Sequence, residues 1–383
     1  MSESASAPVI AKGLAGIYSD TSRVSKVFDD TNTLTYFGYP VQELAEHCRF
    51  EEVAYLLWHG ELPTAEQLKK FEQQERSERD ITDKMLTVLK QFRKDAHPMD
   101  TLRTAISFLG VEDAEWEDAS PAGNLQKSIR MLAKIPTIIA ADFRLRSGKE
   151  PIAPRKELTM AQNFFFMYFG EVPDEKVVRC FDASLTFYAE HGFNASTFTA
   201  RTVTSSLSDI YSAVTAAIGS LKGPLHGGAN EAVMHMLLDI GTPENAQSWI
   251  DEALSEKKKL VMGFGHRVYK NGDSRVPYMT KYFHEMAAIK DGQKWVEIEK
   301  ILEKTMVEKK NIHPNLDYPV GPAYYLMGFD IPVFTPIFVM SRITGWTAHI
   351  MEQLENNKLM RPLSVYNGVP QRTVQPLESR KAA

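Results

Sequence analysis

The sequence predicts a mainly α-helical fold with a short extended element near its N-terminus. After residue 40, apolar side chains recur at helical spacing, as in the series Ile81, Met85, Leu89 and Phe92. No stretch after that point alternates apolar and polar side chains in the way that a half-buried strand does. Residues 13–40 instead mix β-branched and aromatic residues with Asp, Thr and Gly, which is typical of a small hairpin.

The helices follow in chain order from their apolar patterns and from the residues that begin and end them. Pro63 and Thr64, for example, mark the start of a helix at Ala65. The patterns predict helices over 41–48, 50–58, from 65 onwards, 80–95, 99–109, 124–146, 174–190, 209–221, 230–238, 243–256, 275–310 and 332–354. Residues 161–170 form a dense aromatic run, which is more typical of a core than of a binding site. Pro136 is expected to kink or split its helix, because proline supplies no backbone N–H and crowds the preceding turn.

Bulk properties restrict the class of protein. A length of 383 residues suggests two domains or one large helical domain. A net charge of −5 gives no electrostatic basis for binding nucleic acid or an acidic membrane surface. No apolar run reaches the roughly 18 residues of a membrane span, and residues 1–12 lack the basic and apolar regions of a signal peptide. Two cysteines, Cys48 and Cys180, fit buried thiols in a reducing cytoplasm, so we expect a cytoplasmic protein without membrane or nucleic-acid partners.

Three turn-rich stretches each place one titratable side chain beside glycine or proline: His226 in 223–231, His266 in 263–270, and Asp317 in 314–319. A helix follows His226, and a helix N-terminus disfavours imidazolium. A neutral imidazole can donate a hydrogen bond to a carbonyl that is becoming an enolate. Two imidazoles and a carboxylate therefore suit proton transfer at carbon. Helix-capping turns with purely structural roles are the alternative for His226 and for Asp317.

These three stretches, in this order, resemble the citrate synthase family. The resemblance extends along nearly the whole chain, from Gly-Leu-Ala-Gly at 13–16 through Gly-Tyr-Pro at 38–40 and His-Pro-Met-Asp at 97–100 to Arg-Pro-Leu-Ser at 361–364. Within that family the chain looks most similar to bacterial 2-methylcitrate synthases. The resemblance implies a large helical domain over 1–227 and 328–383, a small helical domain over 228–327, and a site in the crevice between them.

The resemblance also implies an activity and its catalytic residues. Members of this family condense an acyl-CoA with oxaloacetate and then hydrolyse the thioester. Asp317 matches the base that removes a proton next to the thioester carbonyl. His226 matches the group that hydrogen-bonds the enolising carbonyl, and His266 the group that protonates the ketone oxygen.

Further residues match the family's substrate contacts. Arg275, Arg342 and Arg361 match carboxylate clamps, with Arg361 reaching into the partner subunit's site of a homodimer. His191 matches another contact to oxaloacetate, and Arg76 is a candidate for one, although a solvated helix face is an equally good interpretation of Arg76. The coenzyme A contacts implied by the resemblance are the adenine-binding loop Leu260, Val261, Met262, Gly263 and Phe264, and the phosphate-binding Lys270 and Lys310.

The acyl-CoA is expected as a cosubstrate, with no permanently bound cofactor and no metal. Tyr318, Pro319 and Val320 depart from the pattern of many dedicated citrate synthases and favour propionyl-CoA, with acetyl-CoA also accepted. A dedicated citrate synthase is the alternative. Two hypotheses of other classes are a metal-dependent lyase or hydrolase, with His191, His226 and His266 as ligands, and a non-catalytic helical scaffold. The metal hypothesis lacks a closely spaced His or Cys pair.

Overall fold

The computed structural model describes residues 10–255, 260–269 and 272–380. Its strands form one antiparallel sheet near the N-terminus, in the order β1 (Ser25–Phe28), β2 (Thr33–Tyr36) and β3 (Tyr39–Pro40). The register pairs Ser25 with Tyr36 and then Tyr36 with Tyr39, so the sheet is a tight meander. The prediction of a short extended element within 13–40 is confirmed.

Helices make up most of the described chain, which confirms the predicted fold class. Their bounds are α1 Val41–His47, α2 Phe50–His59, α3 Ala65–Ser77, α4 Asp83–Gln91, α5 Pro98–Glu112, α6 Pro121–Arg146, α7 Met160–Phe169, α8 Glu175–Tyr188, α9 Ala195–Ser205, α10 Ile210–Leu221, α11 Ala229–Ile240, α12 Pro243–Ser255, α13 Val276–Ile289, α14 Gln293–Lys310, α15 Asp317–Leu326 and α16 Phe334–Glu355. Among these described helices, none is long and apolar enough to cross a membrane.

Local signals explain where several helices begin. Thr64, Thr159 and Asn194 each accept a hydrogen bond from a backbone N–H in the first turn of the helix that follows. Such caps satisfy N–H groups that have no partner within the helix. Pro136 does not split its helix, because α6 continues through it. That residue is buried in a helix packed against α7 and α16, and this tertiary packing outweighs the local cost of a proline.

The last long helix, α16, is the central element of the packing. It is buried almost continuously from Phe334 to Ile350 and contacts α2, α6, α8, α9 and α10. The helices from α11 to α15 pack mainly on one another, with α11 and α13 against α15, and α12 against α14. At Gly321 in α15, a Cβ atom would lie 2.8 Å from the carbonyl oxygen of Asn230, so this glycine permits the close approach of α11.

Candidate active site

A short backbone pairing brings two of the three predicted stretches together. Phe264 and Pro314 form an isolated antiparallel bridge. On either side of it, Gly265 N–H donates to the carbonyl of His313, and Asn315 N–H donates to the carbonyl of Gly263, both at 2.8 Å. The predicted adenine-binding loop and His266 are therefore fixed next to the segment that leads into Asp317.

Glycine is required at two positions of this pairing. Gly263 and Gly265 have φ angles of +80° and +82°, which side chains strongly disfavour. At Gly263 a Cβ atom would also lie 2.9 Å from the ring of Tyr318, whose ring packs on Phe264. The hydroxyl of Tyr318 donates to the carbonyl of Glu299 on α14, so this tyrosine anchors the loop to α14.

Asp317 is the first residue of α15, but its side chain does not cap that helix. Instead, its Oδ1 accepts a 2.6 Å hydrogen bond from the hydroxyl of Tyr188. Burial raises the pKa of Asp317 to about 6, while the Tyr188 hydroxyl and the positive charge of Arg275 act in the opposite direction. A buried carboxylate with this pKa is a stronger base than a solvated one and is still ionised near pH 7.

His226 lies in the turn before α11 and is held by Ser196 at the start of α9. The Ser196 N–H donates to His226 Nε2 at 3.2 Å, and the Ser196 hydroxyl lies 2.8 Å from the same nitrogen. Burial, followed by the charge of Arg342, lowers the pKa of His226 to about 3. The ring is therefore neutral near pH 7. Since Nε2 accepts a backbone N–H, Nδ1 carries the proton and has no described hydrogen-bond partner.

His266 shows the same arrangement with its nitrogens exchanged. Its Nδ1 accepts the N–H of Val268 at 3.0 Å and that of Tyr269 at 3.4 Å, so the proton of the neutral ring lies on Nε2. Burial and then Arg275 lower the pKa of His266 to about 4. Both predicted catalytic imidazoles thus offer one N–H group that no described residue occupies.

His191 lies beside His266, with ring centroids 4.8 Å apart. Its Nε2 is 3.3 Å from the hydroxyl of Tyr269. Burial is the largest cause of its pKa falling well below the ordinary value, and the charge of Arg275 adds to it. The structure thus brings together His266, which the resemblance assigns to the ketone of oxaloacetate, and His191, which it assigns to a further contact with the same substrate.

Arg275 is held by a carboxylate close to it in sequence. Its Nε and Nη2 donate to the two oxygens of Asp273 at 2.9 and 2.6 Å, and its Nη1 donates to the carbonyl of Phe187. Asp273 Oδ2 also accepts the N–H of Leu316, the neighbour of Asp317. Three of the five guanidinium N–H groups of Arg275 are used, and two remain for a ligand.

Arg342, on α16, has no ion pair with any described residue. Its Nε donates to the carbonyl of Tyr188 at 2.6 Å, and its guanidinium lies 4.7 Å from the ring centroid of Phe338. Burial lowers the pKa of Arg342 to about 10, against the raising effect of Glu190, so it stays charged at neutral pH. A buried cation with free N–H groups is suited to an anionic ligand.

Phe338 joins these groups into one cluster. Its ring is stacked on Tyr188 at 3.9 Å between centroids and lies edge-on to His226 at 6.4 Å. The Phe338 ring therefore contacts Arg342, His226 and the tyrosine that hydrogen-bonds Asp317. His226, His266, Asp317, His191, Arg275 and Arg342 therefore belong to one connected region.

The remaining predicted residues lie elsewhere or face outward. Arg76, on α3, pairs with Glu72 of the same helix at 3.2 Å, and no described contact joins it to the histidines or to Asp317. Arg361 is exposed in the segment after α16, and Lys310 is exposed at the end of α14. In the predicted adenine-binding loop, Leu260 is exposed while Gly263 is buried. Lys270 lies outside the described residues, as do Lys257, Lys258 and Lys259.

A cavity of about 670 Å³ lies apart from this cluster. It opens between the start of α5, the end of α6 and the segment before α16, where His97, Arg146 and Ile331 contribute to its walls. None of the predicted site residues lines it. Within the described residues there is also no group of three His, Cys, Asp or Glu side chains placed to hold a metal ion.

Sequence analysis did not identify several residues that hold the cluster together. These are Tyr188, Ser196, Asp273 and Phe338. The only local signal was for Asp273, which stands two residues before Arg275 in a Gly-Asp-Ser-Arg turn. The others act through contacts between distant parts of the chain.

Tyr188→Phe is expected to move the acid limb of the kcat/KM profile to higher pH. In the wild type the hydrogen bond from Tyr188 lowers the pKa of Asp317, so the variant without it has an Asp317 pKa above about 6. A base must be ionised, so activity is lost at a higher pH than in the wild type. The pH dependence of turnover tests this, with Tyr325→Phe as the control because Tyr325 is an exposed tyrosine of α15. An unchanged acid limb would show that Asp317 does not set it.

Comparison with known proteins gives a consistent family. The family model described as "Citrate synthase, C-terminal domain" matches residues 13–363. The citrate synthase of Mycolicibacterium smegmatis is 60% identical over 368 residues, covering 96% of this chain and 98% of that protein. The 2-methylcitrate synthase of Mycobacterium tuberculosis (strain H37Rv) is 58% identical over 367 residues, covering 96% and 93% respectively.

A solved structure agrees with this result. It is the ternary complex of carboxymethyl coenzyme A and oxaloacetate with citrate synthase from Thermoplasma acidophilum, which superposes with a TM-score of 0.92 at 29% identity. The alignment covers 97% of this chain and all of that one. By the family match and by these identities, the chain belongs to the citrate synthase family.

Proposed function

We propose that this protein is a 2-methylcitrate synthase that condenses propionyl-CoA with oxaloacetate, releasing 2-methylcitrate and CoA, and that it also uses acetyl-CoA. The observation that carries the proposal is the joint burial of a raised-pKa carboxyl, Asp317, with two neutral imidazoles, His226 and His266. Relatives of similar identity bear both names, citrate synthase and 2-methylcitrate synthase. A dedicated citrate synthase is therefore the second candidate.

The first step is removal of a proton from the carbon next to the thioester carbonyl. Asp317 takes this proton, and its burial keeps the carboxylate poorly solvated and basic. The carbonyl oxygen gains charge as the proton leaves. His226 stabilises that oxygen by donating from Nδ1, the nitrogen left free when Ser196 occupies Nε2.

The second step joins the enolised carbon to the ketone carbon of oxaloacetate. His266 donates from Nε2 to the ketone oxygen, which becomes the new hydroxyl group. Arg342 and the two free N–H groups of Arg275 hold the carboxylates, with His191 beside them. Water then hydrolyses the thioester, which releases CoA and completes the acyl transfer.

The coenzyme is bound, in this proposal, by the loop from Leu260 to Phe264. The backbone bridge to Pro314 supports this role, because it ties the loop to the segment that carries Asp317. Lys310 and Lys270 are proposed to meet the phosphates, and Lys310 is exposed as such a role requires. The acyl-CoA is a cosubstrate, and no permanently bound cofactor enters the mechanism. Cys48 and Cys180 are buried free thiols, in keeping with the cytoplasmic location that we propose.

A homodimer is proposed to complete the site. Residues 361–380 are exposed throughout, and the apolar residues Leu363, Tyr366 and Val374 are 90%, 74% and 83% exposed. An extended segment with this many exposed apolar side chains is typical of one that a partner covers. Arg361 begins this segment, which supports a position in the partner subunit's site.

Mixing Arg361→Ala chains with His226→Ala chains is expected to restore activity. Each variant homodimer lacks one group at both sites, whereas a hybrid dimer with Arg361 acting across the interface has one intact site. The measurement is thiol release after the two proteins are unfolded together and refolded, with hybrids separated by distinct affinity tags. Verified hybrids without recovered activity would show that Arg361 acts within its own subunit or not at all.

Residues 228–327 are proposed to form a small domain that closes on the rest of the chain when oxaloacetate binds. The clamps support this, because Arg275 belongs to that segment and Arg342 to α16 outside it. Closure would shield the enolate from water. We expect acyl-CoA to bind more tightly in the presence of oxaloacetate, by linkage. Calorimetry with a non-reactive acyl-CoA analogue measures this, and equal affinity in both conditions would contradict it.

Steady-state kinetics with oxaloacetate and a panel of acyl-CoAs tests the proposed function. A pocket that fits propionyl loses about 1–3 kcal/mol with the shorter acetyl group, so acetyl-CoA should remain a slower substrate. We expect the larger kcat/KM for propionyl-CoA. Equal or larger kcat/KM for acetyl-CoA would assign the protein as a citrate synthase with the same mechanism. Absence of thiol release with every acyl-CoA would overturn both candidates.

A further inference from the structure

One face of α16 carries three side chains at helical spacing: Arg342, Trp346 and His349. Arg342 belongs to the site described above. Trp346 supports that site, because its Nε1 donates at 3.0 Å to the hydroxyl of Ser196, which holds His226. His349 is equally buried and plays no part in the proposed mechanism.

His349 lies between two carboxylates. Its Nε2 is 2.7 Å from Oε1 of Glu190, and its Nδ1 is 3.4 Å from Oε2 of Glu352. Burial alone would lower the pKa of His349, but the two carboxylates outweigh it and the pKa is raised. The ring faces Glu190 through Nε2, while the guanidinium Nη1 of Arg201 lies 3.5 Å from Nδ1. One of its two partners, Glu190, immediately precedes His191 in the chain.

The carboxylate of Glu190 ties three parts of the fold to one point. Besides His349, its Oε1 accepts hydrogen bonds from the hydroxyl of Ser25 on β1 and from the N–H of Gly192. Gly192 has a φ angle of +56°, so it forms the turn that follows His191. The Ser25 hydroxyl accepts the same Gly192 N–H at 2.9 Å. The turn that carries His191 is thereby fixed to β1 and to α16.

The backbone of Glu190 is fixed as well. The hydroxyl of Tyr36 donates to the carbonyl of Glu190 at 3.0 Å, and the N–H of Glu190 donates to that hydroxyl at 3.2 Å. Glu190 Oε2 is buried without a hydrogen-bond partner and lies against Gly345, where a Cβ atom would overlap it. A buried charge with an unsatisfied oxygen is costly, and apolar packing would be at least as stable.

We infer that Glu190 and His349 are positioning residues, which fix the turn over 190–194 so that His191 and Arg342 face one substrate carboxylate. Arg342 and His349 lie on one face of α16, two turns apart, so the same helix holds the substrate contact Arg342 and the residue that fixes the turn of His191. This inference rests on the proposed function, in which His191 and Arg342 bind oxaloacetate. It predicts a loss in oxaloacetate affinity that is separate from any loss of stability.

The test measures binding of oxaloacetate alone by calorimetry, together with KM for each substrate, in the intact dimer. His349→Ala is expected to weaken oxaloacetate binding roughly 10- to 100-fold, by analogy with the loss of affinity when the hydrogen-bond partners of metal-ligating residues are removed. The KM for acyl-CoA at saturating oxaloacetate should change little, because the proposed coenzyme contacts lie in the loop from Leu260 to Phe264 and at Lys310, outside this turn. His349→Gln keeps one N–H donor for Glu190 and should recover most of the affinity.

Two further variants keep the test decisive. Gln353→Leu is the matched control, because Gln353 is a buried polar residue of α16 whose described hydrogen bond goes to Asn357. If His349→Ala does not fold, Ser25→Ala removes one bond to Glu190 from the edge of the sheet and should raise the oxaloacetate Kd alone. The inference is overturned if the His349 or Ser25 variant binds oxaloacetate as tightly as Gln353→Leu. A wild-type protein that binds no oxaloacetate would overturn the proposed function and this inference together.

Discussion

Asp317→Asn is expected to reduce kcat by about 10²–10⁴-fold while leaving the fold intact, the range that a general base contributes. The amide keeps the shape of the side chain and can still contact the hydroxyl of Tyr188, but it cannot accept the substrate proton. Because Asp317 is buried and does not cap α15, the neutral amide removes a cost of burying charge. Thermal unfolding should therefore show a melting temperature equal to that of the wild type or higher.

Stopped-flow thiol release and hydrogen–deuterium exchange at the acyl carbon of a thioester substrate measure this loss. Asp330→Asn is the matched control, because Asp330 is exposed and lies four residues beyond the end of α15. A variant that still exchanges the acyl proton at the wild-type rate would remove Asp317 from the role of base.

His226→Ala is expected to cause a similar loss, since it removes the donor that stabilises the enolate oxygen. One such donor contributes on the order of 10²–10³ in kcat. The two groups act on one step, so the double variant His226→Ala with Asp317→Asn should lose much less than the product of the two single losses. KM for oxaloacetate should change little, because His226 faces the acyl carbonyl in the proposed mechanism.

Ser196→Ala separates the role of His226 from its mere presence. This variant keeps the backbone N–H on Nε2 but removes the hydroxyl that Trp346 also contacts. We expect it to retain much more activity than His226→Ala, because the N–H alone still places the proton on Nδ1. In the double variant His226→Ala with Asp317→Asn, a loss in kcat equal to the product of the two single losses, with the fold intact, would mean that His226 and Asp317 act in different steps.

Most helices were predictable from the sequence because their signals are local, and the turns of His226, His266 and Asp317 carry local signals too, whereas His191, Arg275 and Arg342 became candidates only through the resemblance to a family. Apolar spacing, caps such as Thr64 and Thr159, and the glycine-rich turns around His226 and His266 all lie within a few residues of the feature they specify. Pro136 was one exception, because contacts with α7 and α16 decided the outcome and the helix continues. The stretch 275–310 forms two helices, α13 and α14, and the short helices α9 and α15 were not predicted. Local preference is a weak guide wherever a segment is fully buried.

The supporting residues were not predictable in the same way. Tyr188 and Asp317 are 129 positions apart. Ser196, which fixes the tautomer of His226, lies on α9, 30 positions earlier in the chain. Such pairs depend on how helices cross and on which rotamers fit, and one sequence carries no trace of either. The sequence also left open whether Arg76 contacts substrate or lies on a solvated helix face, because both positions suit an arginine among charged residues. In the structure it pairs with Glu72.

The backbone bridge between Phe264 and Pro314 has a practical consequence for protein engineering. Main-chain hydrogen bonds and the ring of Tyr318 join the loop from Leu260 to Phe264 to the segment leading to Asp317, so the two segments form one structural unit. A chimera that takes only one of these segments from a homologue would disturb the backbone bridge and the packing of Tyr318 on Phe264. Exchange of 260–266 and 312–319 as a pair preserves the bridge between the proposed coenzyme-binding loop and the segment that leads to Asp317. Variant libraries aimed at new acyl groups should therefore change the two segments together.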